Sequence, residues 1–197
     1  MQIMKDRKST EDQILAALDR LIQKQGFRGL GVNAVAKEAS LSKILIYRYF
    51  DSFEGLLECW ATNNSYWTGE SLPLSKDLDA SGNAKAVLGG YAHSLRSNPV
   101  KREVLRWFLA EKNDVGAKVM AGLEKKGIET TDEFKKTLQS DNDLDVDALI
   151  CLFSAGISYL SLLSDRADCF NGVELNTDGG WKRINSTITE VVRRLLK

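Results

Sequence analysis

The sequence predicts an all-α fold, and three observations lead to this prediction. Hydrophobic residues make up 43% of the 197 residues, which is enough for an ordinary globular core. Only two prolines occur, and residues that favour helices dominate the rest. Hydrophobic side chains recur at intervals of three and four, as on one face of a helix. We therefore expect an N-terminal three-helix domain followed by a longer helical region.

The first three predicted helices span residues 10–25, 32–39 and 43–49. Gly26 marks the end of the first helix, because glycine readily takes the left-handed conformation of a C-cap. Residues 40–42 interrupt the apolar pattern, and Ser42 is a good N-cap for the third helix. A helix, a three-residue turn and a second helix form the layout of a helix-turn-helix, which presents its last helix to the major groove of DNA.

The remaining sequence predicts six more helices, at about residues 53–67, 84–96, 99–112, 115–138, 147–165 and 180–196. Residues 69–83 are expected to form a loop, since Pro73 lies there together with glycines and serines.

Charge is unevenly distributed along a chain whose formal net charge is zero. Residues 1–50 hold nine Lys and Arg against five Asp and Glu, and the remainder carries the opposite excess. This distribution suits a chain that meets a polyanion at one end only. The excess is small, so charge alone does not establish DNA binding.

The cysteines and the lengths of the apolar runs indicate the cellular compartment of the protein. No stretch reaches the roughly 18 uninterrupted apolar residues of a membrane-spanning helix, and the N-terminus lacks the apolar run of a signal peptide. Cys59, Cys151 and Cys169 are widely spaced, and His93 is the single histidine. We expect a soluble cytoplasmic protein with reduced thiols and with no metal, cofactor or membrane partner. A redox-sensing cysteine is the alternative.

The third predicted helix has two different faces. Ile46 and Phe50, four residues apart, are expected to face the first two helices. The opposite face then carries Lys43, Ile44, Leu45 and Arg48. Exposed aliphatic side chains suit thymine methyl groups, and basic side chains suit a guanine edge or a phosphate. For Ile44 and Leu45, packing against helix four is the alternative.

Hydroxyl side chains around the same helix are predicted phosphate contacts. Tyr47 and Tyr49 place a hydroxyl near the edge of the groove, where it can donate to a phosphate oxygen. Ser42 and Ser52 begin helices three and four, where the positive end of the helix dipole favours a phosphate. The ring of Tyr47 can pack in the core as well, and both roles are compatible.

The N-terminal part of the chain resembles a known family. The matching residues are Gly26-Phe27, Val35-Ala36, Ala39, Leu41-Ser42, Ile46-Tyr47, Tyr49-Phe50, Ser52-Phe53-Glu54 and Leu56. Together they resemble the N-terminal domain of the tetracycline-repressor-like (TetR) family of transcriptional regulators. The resemblance implies a homodimeric repressor that binds a palindromic operator in double-stranded DNA and is released from it by a small-molecule effector.

Carried over by position, the resemblance also implies which residues touch DNA. Base contacts fall to Lys43, Ile44, Leu45 and Arg48, and backbone contacts fall to Ser42, Tyr47 and Tyr49. It further implies two domains: residues 1–52 for DNA binding, and residues 53–197 for effector binding and dimerisation. Helix four, at about residues 53–68, is the expected connector.

Four positions depart from the family's pattern. Gly31 stands where the family usually has a Ser or Thr helix cap, and Ser40 where it has a turn glycine. Ile44 replaces a frequent glycine or alanine, and Phe53 replaces a lysine that grips phosphate. Without that lysine we expect lower affinity for DNA and a salt dependence flatter by about one unit of slope.

Two apolar stripes near the C-terminus predict a dimer interface. They lie on the last two predicted helices and are broad enough that one monomer does not cover both. Two such helical hairpins packed across a two-fold axis would form a four-helix interface, and an interior hairpin of a monomer is the alternative. The predicted interface residues are Leu149, Leu152, Phe153, Gly156, Tyr159, Leu160, Leu163, Ile184, Ile188, Val191 and Leu195.

The family resemblance also implies an effector cavity among the middle helices of the second domain. A largely apolar effector is expected, because the candidate lining is mostly aromatic. The candidates are Trp60, Tyr91, His93, Trp107, Phe108 and Cys151. Ordinary core packing is the alternative for these residues.

Other functions were weighed against DNA binding. An enzyme is disfavoured, because one histidine, no glycine-rich phosphate loop and no nucleophile elbow leave little for catalysis. A helical dimeric ligand sensor or protein-interaction module with degenerate DNA reading is the alternative that Gly31 and Phe53 favour. The sequence does not separate activation of transcription from repression.

Overall fold

Helices dominate the computed structural model, which describes residues 2–27, 29–63, 74–110, 114–138 and 144–196. Within these residues the elements, in chain order, are α1 (Gln2–Gln25), α2 (Val32–Ala39), α3 (Lys43–Phe50), α4 (Phe53–Asn63), α5 (Ala80–Ser97), α6 (Pro99–Ala110), α7 (Asp114–Lys135), α8 (Val146–Leu163), β1 (Cys169–Phe170), β2 (Val173–Glu174) and α9 (Asp178–Leu195). The predicted all-α fold is confirmed, and one short β-hairpin is added to it.

The first three helices lie close to their predicted positions. The bounds of α2 are those predicted, and α3 ends one residue later than predicted, at Phe50. The predicted start of α1 at Thr10 was wrong, since α1 begins at Gln2. Most residues between these two positions are polar, so they carry no periodic apolar signal.

Side-chain caps explain where three later helices begin. α5 starts at Ala80, inside the predicted loop, because Asp79 Oδ1 accepts a hydrogen bond from the Gly82 N–H at 2.7 Å. Asp145 and Thr177 cap α8 and α9 in the same way. The loop prediction was therefore wrong for residues 80–83, and its first part, like the end of predicted helix four, lies outside the described residues.

The chain separates into two compact units. The first unit comprises Met1–Trp67 and Pro99–Leu123, and the second comprises Thr68–Asn98 and Glu124–Lys197. This grouping differs from the predicted boundary after residue 52, because α4 packs against α3 and α6 packs against α1. The predicted division of function between the two domains stays a prediction.

The core of the first unit is built from one face of each of its helices. α1 contacts α2 and α6, and α3 contacts α2 and α4. The largest fully buried side chains there, each nearly inaccessible to solvent, are Ile14, Leu18, Ile22, Ile46, Leu56 and Trp60. This core holds α3 by one face only, so its other face is left to solvent.

In the second unit, α5 supports both C-terminal helices. It packs against α8 and α9 along its length. Tyr91 Oη lies 2.7 Å from Ser158 Oγ on α8, and burial raises the pKa of the Tyr91 phenol. Arg96 pairs with Asp178 on α9 at 2.8 Å and lies over the ring of Trp181, with its guanidinium carbon 5.3 Å from the ring centroid. The sides of α8 and α9 that face away from α5 are thereby turned outward.

Between α8 and α9 the chain forms a two-stranded antiparallel hairpin that the sequence analysis missed. Cys169 pairs with Glu174 and Phe170 pairs with Val173. The strands are too short to show an alternating pattern of polar and apolar residues. The Asn171-Gly172 pair at the turn is a recognised hairpin signal and was the one clue to it.

Candidate nucleic-acid interface

The turn between α2 and α3 sets the direction in which α3 leaves the core. Ser40 closes α2 in the left-handed region, with φ of 54°. Its N–H donates to Lys37 O at 3.2 Å, and the Leu41 N–H donates to Ala36 O at 2.9 Å, the two hydrogen bonds of a Schellman motif. Serine thus adopts a conformation that glycine would take more easily, and the turn keeps its form.

Side chains of α1 brace the end of α2 just before this turn. Gln13 Nε2 donates to the carbonyl oxygen of Ala39 at 2.8 Å. Glu38 accepts from Arg20 Nε at 2.8 Å and pairs with Lys24 Nζ at 3.2 Å. Hydrogen bonds first from Arg20 and then from Lys24 hold the pKa of Glu38 below its ordinary value. Sequence analysis missed all four side chains, since no spacing in α1 points to the end of α2.

The two faces of α3 are those that the sequence predicts. Ser42 caps the helix, with its Oγ accepting from the Ile44 N–H at 3.2 Å. Ile46 and Phe50 are buried in the core of the first unit. Ile44, in contrast, is 72% exposed, a large aliphatic side chain held in water on the opposite side. Such exposure is costly in a free protein and suits a surface that contacts another molecule.

The other predicted DNA contacts surround Ile44 at different depths. Lys43 and Arg48 are exposed, and Tyr47 is 45% exposed. Leu45 and Tyr49 are half-buried, and Tyr49 packs against the core of the first unit. Basic, aliphatic and hydroxyl groups thus occur together on one short helix, although the contact assigned to each residue stays a prediction.

Two of the departures from the family's pattern, Phe53 and Gly31, lie at the starts of α4 and α2. Phe53, at the start of α4, is half-buried and packs against the core, so an apolar side chain takes the place of a phosphate-binding cation. Ser52 Oγ accepts from the Gly55 N–H at 2.9 Å and caps α4. Gly31 precedes α2 with extended backbone and without a side-chain cap.

Comparison with known proteins agrees with this geometry. Residues 14–58, from α1 to α4, match the sequence model of the family described as "Bacterial regulatory proteins, tetR family". Over these residues the chain is similar to the TetR family.

Relatives and solved structures of the TetR family extend the likeness beyond the matched residues. Two HTH-type transcriptional regulators from strains of Mycobacterium tuberculosis are each 30% identical to this chain over 111 residues, which is 56% of this chain and 54% of theirs. The chain therefore spans about half the length of the curated relatives that it matches.

Solved structures show the same fold over most of the chain. A TetR-family transcriptional regulator from Haemophilus influenzae has a TM-score of 0.66 at 18% identity, covering 97% of this chain and 98% of that one. The fatty acid degradation regulator FadR from Bacillus halodurans has a TM-score of 0.69 at 18% identity, covering 90% and 97%. At such identities the likeness shows the fold alone.

The residues predicted to bind an effector divide between the two units of the chain. Trp60 is 2% exposed in the core of the first unit, and its Nε1 donates to Asp19 Oδ1 at 2.7 Å. Phe27 meets the Trp60 ring edge-on at 6.1 Å and stacks on Trp107 at 4.4 Å. Phe108 also lies in the first unit, whereas Tyr91, His93 and Cys151 lie in the second, where His93 and Cys151 are exposed. Their role in effector binding stays a prediction.

The second unit has a shallow, partly open cleft with a volume of about 10 Å³, and none of these six residues lines it. Its walls come from α5, α7 and α8, and they are Ala84, Val87, Leu88, Thr130, Thr131, Phe134 and Ile150. The hydroxyls of Thr130 and Thr131 donate to carbonyl oxygens of their own helix, so the cleft is lined by apolar groups. Sequence analysis missed it because its residues come from three separate segments.

The predicted dimer residues lie on α8 and α9 at different depths. Leu152 is 71% exposed and Tyr159 is 55% exposed, and Leu195 is also exposed. Ile188 is an exception, because it is buried within the second unit. The remaining predicted residues are half-buried, namely Leu149, Phe153, Gly156, Leu160, Leu163, Ile184 and Val191.

By length and composition alone, α8 is apolar enough to cross a membrane, and 17% of it is buried within the chain. The apolar residues of α8 are interrupted, so the prediction that no stretch holds 18 uninterrupted apolar residues is not contradicted. Three serines interrupt the apolar sequence of α8, and Ser158 contacts Tyr91 on α5. A helix packed on one side and apolar on the other is consistent with a place in a protein interface.

Proposed function

We propose that this chain is a sequence-specific DNA-binding transcriptional regulator that represses from a palindromic operator. The observation that carries the proposal is the outward face of α3. A capped helix anchored by Ile46 and Phe50 leaves Lys43, Ile44 and Arg48 open to solvent. A helix held in this way is what major-groove reading requires.

The DNA sequence would be read by apolar contacts with bases and by hydrogen bonds to base edges. Ile44 would pack against a thymine methyl group, and Arg48 and Lys43 would donate to guanine or to phosphate. Ser42, Tyr47 and Tyr49 would fix the register by donating to phosphate oxygens, and Leu45 would add an apolar base contact. The positive end of the α3 helix dipole favours a phosphate at the same place.

The palindrome would be read by a homodimer formed through α8 and α9. Leu152, Tyr159 and Leu195 are large apolar side chains that this chain leaves exposed. A two-fold interface buries the same patch on both copies, so such a surface satisfies itself. Two reading helices spaced about 34 Å apart would then meet successive major grooves on one side of the DNA.

The last part of the proposal is that a small-molecule effector releases the protein from its operator. A small apolar molecule that widens the second-unit cleft and binds only the widened arrangement of its helices would favour that arrangement and change the separation of the two reading helices. If forms with and without ligand kept the same separation, this part of the proposal would fail.

A second candidate is a helical dimeric ligand sensor or protein-interaction module with degenerate DNA reading. It is favoured by Phe53, which packs on the core where a phosphate-binding lysine is usual, and by Gly31, which leaves α2 without a side-chain cap. Under this candidate, the dimer surface of α8 and α9 is retained while affinity for DNA is lost.

The two candidates are separated by selecting bound fragments from a genomic DNA pool and titrating the best fragment by fluorescence anisotropy at two salt concentrations. Enrichment of a palindrome, bound far more tightly than scrambled DNA, supports the regulator. A folded dimer that enriches no fragment, with or without dialysis to remove bound small molecules, favours the sensor.

Arg48→Ala tests whether α3 reads bases. We expect its affinity for the selected fragment to fall about tenfold or more, with a much smaller loss on scrambled DNA. Lys85→Ala, which removes an exposed cation from α5 in the second unit, is the control and should change neither affinity. Equal losses on both DNAs would assign Arg48 to phosphate alone.

A further inference from the structure

The hairpin between α8 and α9 is firmly held at its base. The Leu175 N–H donates to Asp168 O at 2.8 Å, and Asn176 Nδ2 donates to Asp168 Oδ1 at 2.7 Å. Leu175 is buried, and its carbonyl oxygen accepts from the indole N–H of Trp181 at 2.7 Å. These contacts attach the hairpin to the first turn of α9.

Close backbone packing and the turn fix the rest of the hairpin. A β-carbon at Gly180 would overlap the carbonyl oxygen of Glu174, so glycine is needed where β2 meets α9. Asn171 and Gly172 both have positive φ, 49° and 75°, as in the tight turns that favour hairpins. Arg183 Nη1 donates to Gly172 O at 3.4 Å and links the tip to α9.

On this fixed hairpin one aromatic side chain points toward the apolar side of α8. Phe170 is 39% exposed, and its ring meets that of Tyr159 edge-on, with the centroids 5.8 Å apart. Since Tyr159 belongs to the predicted dimer surface, Phe170 makes the apolar surface continuous from α8 onto the hairpin.

We propose that the hairpin is part of the interface with a second copy of this chain, with Phe170 and Tyr159 as a joint anchor. This inference rests on the proposed homodimer. Residues 148–163 of α8 carry no charged side chain, so this part of the surface offers no cation to a nucleic acid. An uncharged apolar surface is suited to an equally apolar partner, and the same surface on a second copy is one.

The rigidity of the hairpin is what makes this anchor effective. An aromatic side chain that is already in place loses little conformational freedom when a partner covers it. Large aromatic side chains, when buried at the centre of a contact, account for much of the binding energy of protein interfaces.

Sedimentation of DNA-free protein over a range of concentrations tests the proposal. We expect Phe170→Ala to raise the Kd of dimerisation about tenfold and Phe170→Asp to raise it about 100-fold. Ile128→Ala and Ile128→Asp, at an exposed isoleucine of α7 in the same unit, are the matched controls and should dimerise like the wild type. Thermal unfolding checks that each variant remains folded.

Leu152→Lys on α8 separates the two ways in which the expectation can fail. If Leu152→Lys dissociates the dimer while both Phe170 variants dimerise like the wild type, the hairpin lies outside the interface and this inference is wrong. If Leu152→Lys leaves the dimer intact, the proposed α8 interface itself is wrong. A wild type that stays monomeric at all concentrations overturns both.

Discussion

Helices α3 and α8 are packed in the same way, although different partners are proposed for them. Each buries one face in its own unit and leaves large apolar side chains on the other. α3 buries Ile46 and exposes Ile44, while α8 buries Ile157 and exposes Leu152 and Tyr159. Burial alone does not distinguish the two helices.

Charge distinguishes them. Lys43 and Arg48 flank Ile44 on α3, whereas residues 148–163 of α8 carry no charged side chain. In the proposed function the cations attract a phosphate backbone and Ile44 meets base edges, whereas an uncharged apolar surface such as that of α8 suits a second apolar surface. An exposed apolar residue therefore indicates its partner only together with the charges beside it.

The largest expected effects concern the buried faces of both helices. Ile46→Ala and Ile157→Ala should each lower the free energy of unfolding by about 2–5 kcal/mol, because each leaves a cavity in a closed core. Urea unfolding at a fixed protein concentration measures the loss. Ile44→Ala is the matched control on α3 and should stay within about 0.5 kcal/mol of the wild type. A similar loss for Ile44→Ala would mean that the two faces of α3 are wrongly assigned.

A charge on the outward side of α8 should have the next largest effect. Leu152→Lys places an unpaired ammonium group on each side of an apolar interface, and we expect the Kd of dimerisation to rise about 100-fold. Sedimentation equilibrium measures it. Ile128→Lys, which adds the same charge on an exposed part of α7, should leave the Kd unchanged.

A lysine on α3 should have a smaller effect of opposite sign, because it should strengthen DNA binding whereas Leu152→Lys weakens dimerisation. Ile44→Lys adds a cation beside Lys43 and Arg48, so affinity for scrambled DNA should rise about tenfold at low salt, with a salt dependence steeper by about one unit of slope. The preference for the operator should fall with the loss of the apolar contact. Anisotropy measures both, and dimerisation should not change.

Leu109→Lys is the control for Ile44→Lys, since Leu109 is an exposed side chain of α6 in the first unit. A gain in affinity as large for Leu109→Lys as for Ile44→Lys would show that any added cation suffices, and that α3 holds no special position toward DNA.

The smallest expected effect concerns two glutamates with lowered pKa. Arg20 and then Lys24 lower the pKa of Glu38, whereas Arg193 and then Arg194 lower the pKa of Glu190 to about 2. A lowered pKa stabilises the fold above the ordinary glutamate range, and this contribution is lost as pH falls through the folded-state pKa. Glu38→Gln should therefore reduce the acid sensitivity of unfolding.

Glu190→Gln is the variant to compare with Glu38→Gln. It should change the pH dependence of thermal unfolding less. Glu38 joins α1 to α2, whereas Glu190 pairs within α9 with residues three and four positions later. Thermal unfolding as a function of pH compares the two variants. An equal effect would mean that the Glu38 contacts do not brace α2.

The two units also differ in how well the sequence predicted them. In the first unit the bounds of α2, the Ser42 cap and the buried pair Ile46 and Phe50 were predicted, because each depends on residues within one or two helical turns. In the second unit the hairpin was missed and Ile188 was assigned to the interface although it is buried. Those features depend on packing between distant segments.

Within the first unit, the candidate site also depends partly on contacts between distant segments, which the sequence did not predict. The exposed face of α3 follows from the spacing of its apolar residues. The hydrogen bond from Gln13 to Ala39 does not follow from any spacing, because these residues lie far apart in the sequence and meet only when α1 packs on α2. Phe53 could be seen to replace a lysine, but only the structure shows that it packs on the core.

By itself the sequence determined the all-α fold, the helix-turn-helix and the faces of α3, since helix periodicity and capping are local and each residue's neighbours within a turn decide them. The tertiary structure decided the rest: which residues line the second-unit cleft, how α1 braces α2, and that Phe170 joins Tyr159 beside α8. These are contacts between distant segments, and their free energy depends on the packing of the whole unit.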